Sequence, residues 1–241
     1  MNNNAGRIAL VVLLAIPFIV YFLMTTFIGT PKRPVVQKYF PITADFHSDH
    51  TKEVNDTLWH IIPPFTLLDQ DSTVFTEKDL EGQVYIADFV FTTCPGICPV
   101  MTKQMARVQK RLAEDENLLF ITHTVDPERD TPRILKRYAR RFDADLTNWK
   151  FLTGTKKELY DLSKQGYRLG VAAGDEGSAE EFDHSGRFVL VDRDRIVRGY
   201  YDGTDSISVN KLMFDTRSLQ LEYYERDKLE FRPGQRPAAS K

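Results

Sequence analysis

Two cysteines, Cys94 and Cys98, are the only thiols in this chain of 241 residues, and both lie in the stretch "TTCPGICP". The stretch follows an apolar, β-branched run from Val84 to Phe91, and a helix-like pattern begins at Pro99. Backbone N–H groups and the positive end of a helix lower the pKa of a thiol at such a junction. A spacing of four places both sulfurs on one side of the first helical turn. The pair can therefore react with each other or hold one metal ion.

A plain structural disulfide is the simplest alternative for this pair. On the chain-entropy model, a disulfide that closes so short a loop stabilises the fold by only about 2 kcal/mol. A chain of 241 residues, 42% of them hydrophobic, can build a core that does not need such a staple. We therefore predict that the two cysteines are functional.

The surrounding sequence bears on the choice between disulfide exchange and metal binding. Exchange enzymes of thioredoxin type use C-x-x-C, whereas three residues separate Cys94 from Cys98. Those enzymes also carry a proline ahead of their last hairpin, but no proline lies between Pro132 and Pro233. His184 stands at that place instead, just before a predicted hairpin. Thiolates select Cu(I) and imidazole suits copper, while zinc would require a fourth ligand, so the residues favour a copper site.

The elements that must position these residues follow from hydrophobic periodicity. Apolar runs and helical patterns predict the order β-β-β-α-β-α-β-α-β-β-α. A helix from about Pro132 is predicted to have Asp130 or Thr131 as its cap, and Thr155 with Glu158 forms the capping box of another. We predict an α/β fold of thioredoxin-like type, with a central mixed sheet flanked by helices.

An uncharged run precedes this body. Ile8 to Gly29 is long enough to cross a membrane and longer than the apolar part of a cleaved signal peptide, so we predict one uncleaved transmembrane helix. The flanking charges do not set its orientation, but the long polar body after a short N-terminus favours a domain on the periplasmic side of the inner membrane. The predicted boundaries are a tail at 1–7, the anchor at 8–29, a linker at 30–57, the domain at 58–228 and a flexible tail at 229–241.

The overall charge helps to exclude one class of partner. The net charge is −2, and no block of basic residues stands out. A protein that binds nucleic acid usually presents a basic patch to the phosphates. We therefore predict no nucleic-acid partner.

Three segments of the chain resemble a known family. The segments "FVFTTCPGICPVM", "VDPERDTP" and "FDHSGRFVLVD" are similar, in order and spacing, to the signature blocks of the Sco/SenC family. Members of this family are membrane-anchored copper chaperones of cytochrome c oxidase assembly with a thioredoxin-like fold. The resemblance covers about residues 58–226, and Asp126 matches the aspartate of the second block.

The resemblance implies a function and a ligand set. It implies that Cys94, Cys98 and His184 bind a copper ion, as Cu(I), Cu(II) or both. The copper ion would be delivered to the copper-centre subunit of cytochrome c oxidase, or the two thiols would reduce the cysteines of that subunit. Another copper chaperone or a thioredoxin-like reductase is a further partner of the kind that it implies.

The remaining histidines and methionines have simpler interpretations. We expect His47 and His50 to be solvated linker residues and His123 to be packed within the sheet. Met101 and Met105 lie one helical turn apart, which is more typical of core packing than of copper ligation. The alternatives to a metallochaperone are a membrane-tethered thiol–disulfide oxidoreductase without an obligate metal, a peroxidase and a redox or copper sensor.

Overall fold

The computed structural model describes residues 3–23, 36–38, 51–54, 57–113, 117–169 and 186–230, although the side chains of 3–12, 51–57, 229 and 230 are not described. The helices are α1 (Asn3–Leu23), α2 (Ile97–Arg111), α3 (Pro132–Arg141), α4 (Lys156–Asp161) and α5 (Ser206–Glu230). The strands are β1 (Thr51–Val54), β2 (Thr57–His60), β3 (Thr66–Leu68), β4 (Val74–Thr76), β5 (Val84–Val90), β6 (Leu118–Thr124), β7 (Trp149–Leu152), β8 (Arg187–Val191) and β9 (Val197–Asp202). The chain divides into two units, Met1–Val35 and Val36–Lys241.

A five-stranded mixed sheet in the order β7-β6-β5-β8-β9 forms the centre of the second unit. Strand β5 runs parallel to β6, which runs parallel to β7, whereas β8 is antiparallel to both β5 and β9. This arrangement confirms the predicted α/β fold of thioredoxin-like type. Because β5, β6 and β7 are parallel, the loops that leave their carboxyl ends meet at one edge of the sheet.

The strand β5 is buried on both faces, as its continuous apolar sequence predicts. Val84 and Ile86 pack in one core cluster with Met101 and Met105 of α2 and with side chains of α3 and α5. Tyr85 and Ala87, which point to the other face of the strand, pack in a second cluster with α4 and the β3–β4 hairpin. The two core layers hold the end of β5 in place, and the cysteine loop continues from that end.

Several helix boundaries were predicted correctly and others were not. Thr155 and Glu158 form the expected capping box at the start of α4, and the chain then continues as a π-helical turn over Leu162–Gly166 that the sequence pattern does not reveal. Helix α2 begins at Ile97 rather than Pro99. The earlier start is possible because proline is tolerated anywhere in the first turn, where no intrahelical N–H bond is lost.

The β1–β2 hairpin was not predicted. Strand β1 lies within the segment 30–57, which sequence analysis assigns to a linker. Four-residue strands of mixed polarity give too short a periodic pattern for recognition. Val36, in the same segment, is also buried against the domain.

A buried arginine joins three parts of the second unit. The guanidinium of Arg198 on β9 donates to the carboxylates of Asp192, at 3.0 Å, and of Glu222 on α5, at 3.1 Å, and also to the backbone carbonyl of Val36. Arg198 and Asp192 are almost completely buried. Because a buried charge is tolerated only with such partners, the contacts fix residues 36–38 and α5 to the last hairpin.

The first unit contains α1, which occupies most of the uncharged run. Among its described side chains, the large apolar ones from Leu13 to Leu23 are exposed, as Leu13 (68%) and Phe18 (76%) show. No helix that is both long and apolar enough to cross a membrane is found in the part of the chain that the structure describes.

Candidate copper site

The two cysteines lie where the chain passes from β5 into α2. Strand β5 ends at Val90, and the backbone N–H of Cys94 donates to the carbonyl of Phe91 at 3.2 Å, which turns the chain toward the helix. Gly96 stands at the N-cap of α2 and has no side chain to satisfy the first N–H groups. These N–H groups therefore remain available to another acceptor, and the backbone N–H groups of Gly96, Ile97 and Cys98 donate to the sulfur of Cys94.

The Cys94 thiol is partly exposed and forms no disulfide with Cys98. Partial burial raises the pKa of Cys94, but hydrogen bonds from the backbone N–H groups of Cys98, Gly96 and Ile97 and from the Cys98 thiol outweigh this effect. The pKa of Cys94 consequently lies below its ordinary value. Cys94 is the thiol of the pair that is closer to being a thiolate.

Cys98 differs from Cys94 because it is only 3% exposed. Burial, together with the hydrogen bond to Cys94 and negative charge on Cys94 and Asp88, raises the pKa of Cys98 to about 12, while the backbone of Phe91 opposes the shift. At neutral pH the pair therefore consists of a protonated Cys98 that donates to the sulfur of Cys94. A metal ion that binds both sulfurs has to displace the proton of Cys98.

A buried carboxyl group, Asp88, lies on β5 and contributes to the charge environment of Cys98. It pairs across the ladder with Thr122, whose hydroxyl accepts from Trp149 Nε1 at 2.9 Å. Neither oxygen of Asp88 has a hydrogen-bond partner of ordinary geometry among the described residues. Burial raises the pKa of Asp88 to about 7, and only the Thr122 hydroxyl opposes this shift.

The loop between β6 and α3 borders the cysteine loop. Sequence analysis expects Asp130 or Thr131 to cap α3, and Thr131 does occupy the N-cap position, but its side chain makes no capping hydrogen bond. The carboxylate of Asp130 accepts hydrogen bonds from Thr92 and Thr124 instead. Arg129, which is 72% exposed, lies 3.7 Å from Asp126 in a solvent-facing ion pair.

His184, the third predicted ligand, lies outside the described residues. The described chain resumes at Gly186 and enters β8, whose antiparallel register pairs Val189 with Ala87 of β5. The start of β8 therefore lies at the end of β5 from which the cysteine loop leaves. Within the described ranges, no group of three or more histidine, cysteine, aspartate or glutamate side chains could hold a metal ion.

The other histidines and the methionines have structural roles where they are described. His123 is fully buried, stacks on Phe89 at 4.6 Å and has its Nδ1 3.3 Å from the carbonyl of Asp88, which confirms the prediction of a packed residue. Met101 and Met105 are buried in the core, as predicted. His60 is buried next to Gly166, whose carbonyl lies 2.9 Å from its Nε2. His47 and His50 lie outside the described residues.

Comparison with known proteins defines the class to which this fold and site belong. A family profile described as SCO1/SenC matches residues 54–217. A SCO1 protein homolog of Bacillus subtilis is 33% identical over 169 residues, which are 69% of this chain and 86% of the relative. The chain belongs to the SCO1/SenC family.

Solved structures of relatives agree with the fold. A SCO1/SenC family lipoprotein from Bacillus anthracis is 30% identical, with a TM-score of 0.58 over 67% of this chain and 95% of the other. ScoI from Bradyrhizobium japonicum, solved with copper bound, is 26% identical, with a TM-score of 0.51 over 68% of this chain and 99% of the other. The similarity covers nearly the whole of each relative.

Sequence reasoning overlooked Asp88 and the contact between Asp130 and Thr92. Asp88 could have been found from the sequence, because it is the one charged residue in the apolar run that forms β5. A carboxyl group buried in such a strand must either have a partner or have a shifted pKa. The contacts of Asp130 with Thr92 leave no such signal, because they join residues 38 positions apart.

The raised pKa of Asp88 predicts an unusual dependence of stability on pH. Because the folded state favours the protonated acid, the stabilising contribution is complete below the unfolded pKa of 3.8 and is lost as pH rises to about 7. Asp88→Asn should therefore gain stability relative to wild type as pH rises from 4 to 8, by up to about 4 kcal/mol in free energy of unfolding. Urea unfolding across this range measures the difference.

Asp145→Asn is the matched control for this prediction. Hydrogen bonds from Thr147 lower the pKa of Asp145, so its contribution is present at high pH and is lost as pH falls. Between pH 4 and 8 the control should therefore keep a nearly constant stability difference from wild type, because the contribution of Asp145 is lost only as pH falls below the unfolded pKa of 3.8. If the free energies of unfolding of Asp88→Asn and wild type ran parallel from pH 4 to 8, the raised pKa of the buried Asp88 carboxyl would be contradicted.

Proposed function

We propose that this protein is a copper metallochaperone that binds copper through Cys94, Cys98 and His184 and delivers it to the copper-centre subunit of cytochrome c oxidase during assembly. The observation that carries the proposal is the pair of free thiols in mutual hydrogen-bond contact at the start of α2. Two soft sulfur donors, one in the loop before α2 and one in its first turn, suit Cu(I), and an added imidazole ligand suits either oxidation state.

The unequal environments of the thiols support loading and release. Cys94 is partly exposed and has a lowered pKa, so it meets an incoming ion first. Cys98 then loses its proton, and because its pKa is about 12, proton return at Cys98 favours release. A partner can reach the ion from the side of Cys94, replacing one ligand at a time.

Relatives support the identity of the cargo. Structures with copper bound exist for ScoI of Bradyrhizobium japonicum and of Arabidopsis thaliana and for yeast Sco1. The entry of the chain into β8 near the end of β5 supports His184 as the third ligand, since only one residue separates it from Gly186.

A second candidate function is reduction of the cysteines that will hold copper in the oxidase subunit. The observation that favours it is the hydrogen-bonded thiol pair itself, because the lowered pKa of Cys94 raises its thiolate fraction and the adjacent Cys98 can then close the disulfide. A related Bacillus protein, BsSco, is described as having a disulfide switch. Turnover of a disulfide substrate that persists in His184→Ala would favour this function over metal transfer.

We also propose that residues 8–29 anchor the protein in the inner membrane, with the domain on the periplasmic side. The uncharged run, its helical conformation over Asn3–Leu23 and its exposed apolar side chains support an anchor. Extraction of membranes with alkaline carbonate tests it: the full chain should stay in the pellet, and its release into the supernatant would exclude an integral anchor.

Replacement of the proposed ligands tests the copper site. Cys94→Ser, Cys98→Ser and His184→Ala should each weaken Cu(I) binding, by about a hundredfold or more for either cysteine, because a hydroxyl is a poor ligand for this soft ion. Anaerobic titration of the reduced, full-length protein against a chromogenic Cu(I) chelator measures the affinity and the stoichiometry.

His47→Ala and His50→Ala are the controls, because sequence analysis assigns both histidines to the linker. They should bind one copper ion with wild-type affinity. Unchanged affinity in any one of the three ligand variants would remove that residue from the proposed site.

A further inference from the structure

The carboxylate of Asp130 joins the loop between β6 and α3 to the cysteine loop between β5 and α2. It is completely buried, and both of its oxygens accept hydrogen bonds. Oδ2 accepts from the backbone N–H of Thr92 at 3.0 Å and from the hydroxyl of Thr124 at 2.6 Å. Oδ1 accepts from the hydroxyl of Thr92 at 2.5 Å. The carboxylate therefore holds both polar groups of Thr92 at once.

The loop that supplies Asp130 is itself fixed by hydrogen bonds. The N–H of Asp130 donates to the carbonyl of Asp126 at 2.9 Å, and the N–H of Asp126 donates to the hydroxyl of Thr124 at 3.0 Å. Thr124 is the last residue of β6, in the centre of the parallel part of the sheet. Asp130 is therefore a fixed point, and Thr92 is the residue held against it.

The start of α3 does not require this carboxylate. Pro132 is the first residue of the helix and has no N–H to be capped, and Thr131 occupies the N-cap position. The orientation of Asp130 toward the cysteine loop is consequently not explained by helix capping.

Thr92 precedes Cys94 by two residues, at the point where the chain turns from β5 toward α2. The adjacent contact, Cys94 N–H to the Phe91 carbonyl, closes the turn. A displacement of Thr92 would therefore move the sulfur of Cys94 relative to the N–H groups of Gly96, Ile97 and Cys98, which now donate to it. Hydrogen bonds weaken steeply when such geometry is lost.

We propose that Asp130 is a positioning residue for the thiol pair: through Thr92 it holds the sulfur of Cys94 over the start of α2 and beside Cys98. The role rests on the proposed function, because it concerns how the copper-binding thiols are kept in place. Asp130 itself touches neither sulfur in the described contacts, so it acts only through Thr92.

Selective alkylation tests this role without copper. Metal-free, reduced, full-length protein in detergent micelles is treated with iodoacetamide at pH 7, and the labelling of each cysteine is followed by mass spectrometry. Cys94 should react well ahead of the buried Cys98 in wild type. Selectivity is the ratio of the alkylation rate of Cys94 to that of Cys98. Thr92→Val should reduce this ratio about tenfold, because the valine keeps the shape of the side chain but leaves Oδ1 of Asp130 without its donor.

Conservative replacement separates positioning from a general loss of structure. Thr92→Ser retains the hydroxyl and should restore the wild-type selectivity. Asp130→Asn should reduce selectivity as Thr92→Val does, because the amide accepts at one atom only. Thr93→Val is the matched control, since Thr93 is exposed and adjacent to Cys94, and it should behave as wild type.

Three outcomes would overturn the role of Asp130. They are wild-type selectivity in Thr92→Val (equal acceleration at both cysteines included), wild-type selectivity in Asp130→Asn, and failure of Thr92→Ser to keep wild-type selectivity. The copper function is tested separately, by titration of wild type. Failure of wild type to bind copper would refute the proposed function and leave the alkylation result intact.

Discussion

The burial of Cys98 beneath an accessible Cys94 is the constraint on which the site depends. Two thiols in equal environments would compete for the same N–H groups and would titrate alike. Here burial raises the pKa of Cys98 to about 12, while the N–H groups at the start of α2 lower the pKa of Cys94. The two thiols therefore differ in pKa, because burial dominates at Cys98 whereas hydrogen bonds from backbone N–H groups dominate at Cys94.

The fold produces this difference by fixing the start of α2 against the end of β5. Met101 and Met105 anchor the helix in the core, one and two turns after the cysteines. Asp88 lies on β5 and keeps a carboxyl group in the same buried region, where an ionised form would oppose deprotonation of Cys98. Binding of a metal ion by both sulfurs would therefore be linked to the protonation of the buried groups.

Much of the fold could be predicted from the sequence because its strongest signals are local. The apolar run of β5, the capping box at Thr155 and the hairpin of β8 and β9 each lie within a few residues. The β1–β2 hairpin and the π-helical turn were not predicted, since neither produces a hydrophobic period of sufficient length. These elements depend on tertiary packing for their definition.

The candidate site shows the same division. Cys94 and Cys98 could be identified because their spacing and their place before a helix carry chemical meaning. The hydrogen bonds between Thr92 and Asp130 could not be predicted, because they form only when the parallel strands β5 and β6 bring their loops together. The sequence instead suggested a helix cap, which is the commoner role of an aspartate before a helix.

X-ray absorption at the copper edge of the fully loaded, full-length protein tests the central claim most directly. The account predicts that each copper ion has two sulfur neighbours and one imidazole nitrogen, and that the sulfur contribution is halved in Cys98→Ser. A copper environment made only of nitrogen and oxygen donors would contradict it.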